Sequence, residues 1–215
     1  MTDQHITVGG TGEASAAPDI AVVTIGVEVT QKTVAAARQG AAGAASIVLR
    51  ALSDNGVVER DIRTSGLRMH PHYDYSRGSA PKVVGYQASH QFMVKVRAID
   101  SLSGVIDGAA LAGGEAVRIH GISFEIDDPA SLLVEARRKA VDDARLRAET
   151  YAAAAGVTVG QVVSISEIPE NGQPIRPMMM ARAEAMKMDE TPVQPGETTV
   201  TAQVVVRFAI AETAG

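Results

Sequence analysis

Cysteine is absent from this chain of 215 residues, which excludes disulfide frameworks, thiol catalysis, iron–sulfur clusters and zinc sites built on cysteine. Tryptophan is also absent and aromatic residues make up only 3% of the sequence, so aromatic cages and base-stacking platforms have little support. The formal net charge is −5 and no basic cluster accompanies it. Binding to nucleic acid or to an anionic membrane through charge is therefore not expected.

Long apolar runs are missing as well. No segment approaches the roughly 18 apolar residues that crossing a bilayer requires, so no transmembrane segment is predicted. The first ten residues, MTDQHITVGG, have neither a basic start nor an apolar stretch, and we expect no signal peptide here. Because no signal peptide is expected, a cytoplasmic location stays open. The lack of cysteine identifies no compartment.

The segment from Phe124 to Glu167 carries the clearest pattern in the chain. Asp127 or Asp128 can cap a helix, and Pro129 suits its first position, where no amide donor is needed. Gly156 is expected to end the helix in a left-handed turn. Steps of three and four predict one buried stripe, which consists of Leu133, Ala136, Ala140, Ala144, Ala148, Tyr151 and Ala155.

Two further helices and seven strands are predicted. One helix runs from Gln31 to Ala51, ends at Asn55-Gly56 and turns one face inward, formed by Val34, Ala37, Ala41, Ala45, Val48 and Leu52. A short helix covers about Ser101 to Leu111. Alternation and β-branched residues predict the strands, at residues 5–15, 19–30, 60–73, 83–97, 116–126, 157–167 and 197–211.

These elements predict an α+β fold in which two long helices and one short helix pack on a mostly antiparallel sheet. Each long helix ends at a glycine that leads into a strand and then into a long closing strand, which suggests two related helix–strand–strand units. We interpret residues 1–215 as a single domain. A segment rich in Met and Pro, residues 170–195, forms a long excursion between the last two strands.

The methionines of that segment allow three interpretations. Thioethers could bind Cu(I), act as reversible oxidation targets, or form an adaptable apolar contact with a neighbouring subunit. We favour the subunit contact, and the residues concerned are Met178, Met179, Met180, Met186 and Met188.

Two other patterns suggest chemistry. His70, His72 and Asp74 occupy alternate strand positions and could reach one metal ion, although solvent-facing strand residues are the simpler interpretation. The sequence Gly9-Gly10-Thr11-Gly12 resembles a phosphate loop, but it lies inside a strand that leads to another strand, so bulges or close backbone packing explain it better. No nucleophile elbow or perturbed acid–base pair is evident, and no cofactor is predicted.

Several short pieces occur in a characteristic order along nearly the whole chain. They are Ile6-x-Val8-x-Gly10-x-Gly12, Pro18-Asp19-x-Ala21, Asp61-Ile62-x-Thr64-Ser65-Gly66, Pro71-x-Tyr73, Gly85-Tyr86-x-Ala88-Ser89, Gly121-Ile122-x-Phe124, Asp128-Pro129 and Ala136-Arg137-x-Lys139-Ala140-x-x-Asp143-Ala144. As an ordered set they resemble the SIMPL domain family, the YggE-like periplasmic proteins of bacteria.

This resemblance implies an α+β fold and, in some members, assembly into rings or channel-like oligomers. It also implies a loose link to the cell envelope and to oxidative-stress tolerance, and it supplies no catalytic residues. The resulting hypothesis is a non-enzymatic homo-oligomeric scaffold, a ring or cage, with an envelope partner of unknown identity. The alternatives are a module that binds a metal or small ligand through His70 and His72 or through the methionines, and a hydrolase or isomerase with an unrecognised site.

Overall fold

The computed structural model describes residues 4–75, 81–169 and 196–211. These residues form two compact units. The terminal unit contains residues 4–18, 126–169 and 196–211, and the central unit contains residues 19–75 and 81–125. The interpretation of the whole chain as one domain stays a prediction, so each unit is described by itself.

The predicted α+β class is confirmed, with two long helices, one short helix and antiparallel pairing throughout the described strands. The helices are α1 (Val34–Asp54), α2 (Leu102–Gly113) and α3 (Ala130–Ala155). The strands are β1 (His5–Ala16), β2 (Ile20–Gln31), β3 (Ile62–Asp74), β4 (Lys82–Val96), β5 (Val117–Glu125), β6 (Thr158–Glu167) and β7 (Thr198–Ala211).

The central unit is a four-stranded sheet in the order β3-β4-β2-β5. Its elements follow the chain order β-α-β-β-α-β, which is the ferredoxin-like arrangement. Helix α1 packs on β2 and β4, and the interior between helices and sheet is filled by branched and aromatic side chains. Its largest fully buried members are Phe92, Ile25, Leu52, Leu102, Val23, Val27, Val48, Val94 and Val105.

Helix α1 begins three residues later than predicted. Strand β2 continues to Gln31, and the Oγ1 of Thr33 accepts a hydrogen bond from the Ala36 amide at 3.2 Å, which fixes the first turn. Val34 was predicted on the buried face but is exposed, because it lies in this first turn. At the other end, Gly56 has φ +86°, so the predicted glycine stop is confirmed.

The terminal unit is a three-stranded sheet in the order β1-β7-β6, with α3 packed on it. Pro129 occupies the N-cap of α3, one residue before its predicted position. Asp128 therefore lies just before the cap, and its Oδ1 accepts a hydrogen bond from the Ala130 amide, the first of the helix, at 3.0 Å. Gly156 adopts the predicted left-handed conformation.

The buried stripe of α3 advances in uniform steps of four, through Ala136, Ala140, Ala144, Ala148 and Ala152. The prediction that Tyr151 and Ala155 belong to it is wrong, because both are exposed. The contact follows the row of residues four apart, and Ala152 therefore takes the place predicted for Tyr151.

The glycines of β1 explain why this stripe consists of alanine. A Cβ on Gly10 would overlap the Ala140 carbonyl oxygen and would lie 2.7 Å from the Ala144 nitrogen. A Cβ on Gly12 would overlap the Ala136 carbonyl oxygen and would lie 2.8 Å from the Lys139 carbonyl carbon. The helix backbone therefore rests almost directly on the strand backbone at Gly10 and Gly12. Of the two predicted explanations, close packing is confirmed for these two glycines, and the β1–β7 register has no bulge there.

The predicted internal repeat appears in the topology. In the central unit, β2, α1, β3 and β4 follow one another, and the three strands lie in the order β3-β4-β2. In the terminal unit, β1 is followed, after the whole central unit, by α3, β6 and β7, and these strands lie in the order β6-β7-β1. The same strand–helix–strand–strand arrangement therefore occurs twice.

Candidate functional site

The outer strand β1 is covered by two side chains of α3. Asp143 Oδ2 accepts a hydrogen bond from the Thr11 amide at 2.9 Å, and Lys139 Nζ donates to the Glu13 carbonyl oxygen at 2.9 Å. The Thr11 amide, followed by Arg147, holds the pKa of Asp143 below its ordinary value. Charged side chains on an outer strand prevent it from pairing with another chain, so this edge is protected.

The opposite outer strand, β6, has a different surface. We call Val162, Val163, Ile165 and Ile168 the β6 strip; these side chains are between 38% and 51% exposed. The β6–β7 register shifts on both sides of Val162, and apolar side chains consequently emerge at neighbouring positions. In the described ranges, α3 makes no hydrogen bond to the β6 backbone. The one ion pair between α3 and β6 in these ranges joins Arg137 Nε to Glu167 Oε1 at 2.9 Å.

The central unit has a second apolar surface at the far part of the β3–β4 hairpin. We call Leu67, Met69, Tyr73, Tyr75 and Val83 the hairpin arm; their side chains are between 40% and 74% exposed. The rings of Tyr73 and Tyr75 have centroids 6.2 Å apart. Two separate exposed apolar surfaces are thus available for contact.

The predicted metal ligands lie on β3, at the outer edge of its sheet. His70 is opposite Gln87, His72 is opposite Gly85, and the register shifts before Asp74. All three side chains are exposed. Within residues 4–75, 81–169 and 196–211, no three His, Asp or Glu side chains come together as a metal-ligand set. Metal binding at this strand therefore stays a prediction from the sequence.

The five methionines proposed as an oligomer contact, Met178, Met179, Met180, Met186 and Met188, lie outside the described residues. Their role as a contact, a copper site or an oxidation target stays a prediction. The strands on either side of the segment are confirmed, since β6 ends at Glu167 and β7 begins at Thr198.

One partly buried polar side chain, that of His90, escaped prediction. His90 lies 4.3 Å from the ring of Phe92, and its Nε2 is buried without a hydrogen-bond partner in the part of the chain that the structure describes. Burial lowers the pKa of this imidazole. The signal was present in the sequence, because His90 shares its alternation with Ala88, Phe92 and Val94, which all face the core.

None of the described helices combines the length and the hydropathy that a membrane span requires.

The comparisons with known proteins agree on one family. The family model described as "SIMPL: Protein of unknown function (DUF541)" matches residues 6–208. The 26 kDa periplasmic immunogenic protein of Brucella melitensis is 32% identical over 98% of this chain and 87% of its own length. The uncharacterized protein YggE of Escherichia coli K12 is 33% identical, over 90% of this chain and 76% of its own length.

A third relative, the uncharacterized protein YggE of Edwardsiella ictaluri, is 29% identical over 79% of this chain and 70% of its own length. The family match covers β1 as well as most of β7, and thus elements of both units. The ordered motifs, the match over nearly the whole chain and the relatives together show that this protein belongs to the SIMPL family.

Proposed function

We propose that this SIMPL protein is a non-enzymatic scaffold that associates with copies of itself through the β6 strip. The observation that carries the proposal is the difference between the two outer strands of one sheet. Two backbone groups of β1 are bonded by Asp143 and Lys139, whereas the β6 strip exposes three aliphatic side chains on β6 and a fourth, Ile168, directly after it. A protein that blocks one edge and leaves the other apolar favours pairing at the second.

The partner that fits this edge is a second β6 strand. Two copies can align antiparallel about a two-fold axis, so that the same residues contribute from both sides and the strip becomes buried. The hairpin arm gives each copy a second apolar surface, and a ring or cage needs such a second contact. Scattered exposed apolar residues are normal on a monomer, but clustered ones mark interaction surfaces.

Two observations support the proposal that the protein is not an enzyme: the names of the family and of its members, and the sequence itself. The family is described as one of unknown function, and the matched relatives are called uncharacterized or immunogenic. The sequence contains no nucleophile elbow and no spacing that pairs a serine with a histidine and an aspartate. A hydrolase or isomerase would need such convergent groups in a cavity.

Native mass measured by size-exclusion chromatography with light scattering tests the scaffold. We expect a mass above that of the 22.4 kDa chain, which falls when Val163→Lys and Ile165→Lys are combined, because like charges would face one another across the paired edge. The matched control is Val134→Lys, an exposed position on α3, and it should leave the mass unchanged. A monomeric protein at high concentration, or an unchanged mass in the double variant, would contradict the proposal.

We also propose that the protein works in the cell envelope. The Brucella relative is named periplasmic, and the family resemblance links such proteins to oxidative-stress tolerance. Fractionation of cells that express the native gene tests the location. Survival of a deletion strain in peroxide tests the link to stress.

A further inference from the structure

The central unit contains a cavity of about 390 Å³ between the C-terminal end of α1 and the start of β3. It is lined by Leu49, Ser53, Val57, Glu59, Ile62, Thr64 and Phe92. This cavity includes none of the residues considered above as metal ligands or as subunit contacts. Its volume lies in the range of small-molecule sites.

The topology explains why space remains here. Helix α1 packs on β2 and β4, while β3 is the outermost strand of the sheet. Ile62 and Thr64 pair with Val94 and Phe92, and their side chains therefore face the helix side of the sheet. The register then shifts beyond Thr64, so β3 leaves a groove beside α1.

The lining of the cavity combines an apolar floor with three polar residues. Phe92 and Val57 are buried and form the floor. Ser53 and Thr64 contribute hydroxyl groups, and Glu59 contributes the single charge among the lining residues. All three side chains are exposed, and within the described residues none of them has a hydrogen bond or an ion pair, so all three are available to a ligand.

We propose that this cavity binds a small organic ammonium compound whose apolar body rests on Phe92. The carboxylate of Glu59 attracts the cation, while the hydroxyls of Ser53 and Thr64 can accept hydrogen bonds from it. A carboxylate ligand would be repelled by Glu59. A neutral compound of the same shape would gain only the apolar contact. The site does not depend on subunit association.

Isothermal titration with three probes of similar shape tests this proposal. We expect 2-phenylethylammonium to bind saturably and about three- to fivefold more tightly than 2-phenylethanol, because an exposed ion pair contributes up to about 1 kcal/mol. The third probe, 3-phenylpropanoate, should bind most weakly. Glu59→Gln should remove the preference for the ammonium, and Ser53→Trp, which places a ring in the groove, should weaken both the ammonium and the alcohol.

Asp54→Asn is the matched control, since Asp54 lies at the same helix end but does not line this cavity. It should leave the preference for the ammonium unchanged, and circular dichroism of each variant confirms that it folds. Equal binding of ammonium and alcohol by the natural protein, no saturable binding, or a preference that survives in Glu59→Gln would each overturn the proposal.

Discussion

The two units share one arrangement of strands and helix but differ in how the helix meets the sheet. In the terminal unit, α3 brings five buried alanines onto a strand whose Gly10 and Gly12 have no side chain. In the central unit, α1 and α2 cover the sheet with side chains such as Leu52, Leu102 and Phe92. The contact between α3 and β1 is therefore made by close approach of backbones, although the terminal unit also buries Val206 and Phe208. The central interior is filled by the volume of side chains.

This difference determines how each unit can be damaged. The alanine–glycine contact between α3 and β1 has little side-chain volume to lose, but an added carbon has no space to enter it. An interior of leucine, valine and phenylalanine leaves a cavity when a side chain is shortened. We therefore expect the α3–β1 contact of the terminal unit to be sensitive to additions and the core of the central unit to deletions.

The largest effect should come from adding one methyl group to the terminal unit. Gly10→Ala places its Cβ against the Ala140 carbonyl and 2.8 Å from the Ala144 Cβ. Overpacking usually costs about 1–3 kcal/mol, but here a fixed helix backbone is in the way, so we expect more than about 4 kcal/mol. Hydrogen exchange should show lost protection in β1, α3 and β7.

The neighbouring glycine is the control. A Cβ on Gly9 would find its nearest neighbour, the Val204 carbonyl oxygen, at 3.9 Å, because Gly9 faces away from α3. Gly9→Ala should therefore be neutral or stabilising by less than about 1 kcal/mol. Equal losses in the two variants would show that close approach is not what holds this unit together.

The second effect is a deletion in the central unit. Leu52→Ala removes a fully buried side chain of α1, and we expect the free energy of unfolding to fall by about 3 kcal/mol. Urea denaturation measures the loss. Ile47→Ala on the exposed part of the same helix should change the unfolding free energy by less than about 0.5 kcal/mol. A stable Leu52→Ala protein would mean that the central core collapses around the missing side chain.

Local patterns predicted the elements well, because period and capping depend on near neighbours. The glycine stops at Gly56 and Gly156 and the strands on either side of residues 170–195 are examples. Local patterns could not decide whether Tyr151 or Ala152 belongs to the buried stripe of α3. It depends on which row of the helix meets β1, and that is a tertiary contact.

The candidate surfaces were harder to predict for the same reason. The protection of β1 joins residues 132 positions apart, Thr11 and Asp143, and no local spacing indicates it. The cavity beside Phe92 combines α1, β3 and β4 and depends on which strand is outermost. His90 is different, because the alternation of β4 alone places it on the same face as Ala88, Phe92 and Val94.

The smallest expected loss of stability comes from removing an ion pair. The two units also differ here, because one ion pair has a buried carboxylate and the other is exposed. Arg97 Nε and Nη2 donate to the two carboxylate oxygens of Asp61 at 2.7 and 2.8 Å, and Asp61 is only 8% exposed. In the terminal unit, the pair Arg137–Glu167 has both side chains nearly half exposed. Asp61→Asn should therefore cost about 2 kcal/mol, whereas Glu167→Gln should cost less than about 0.5 kcal/mol.

The pH dependence of unfolding tests the cause of that loss. The hydrogen bond from Arg97, helped by the charges of Arg97, Arg60 and Lys95, holds the pKa of Asp61 below the ordinary 3.8. Stability from this pair is therefore present above pH 3.8 and is lost as the pH falls through the lowered pKa. The difference in unfolding free energy between the natural protein and Asp61→Asn should shrink as the pH falls below about 4. A difference that stays constant between pH 7 and pH 2 would assign the loss to packing, and the contrast between buried and exposed ion pairs would not hold.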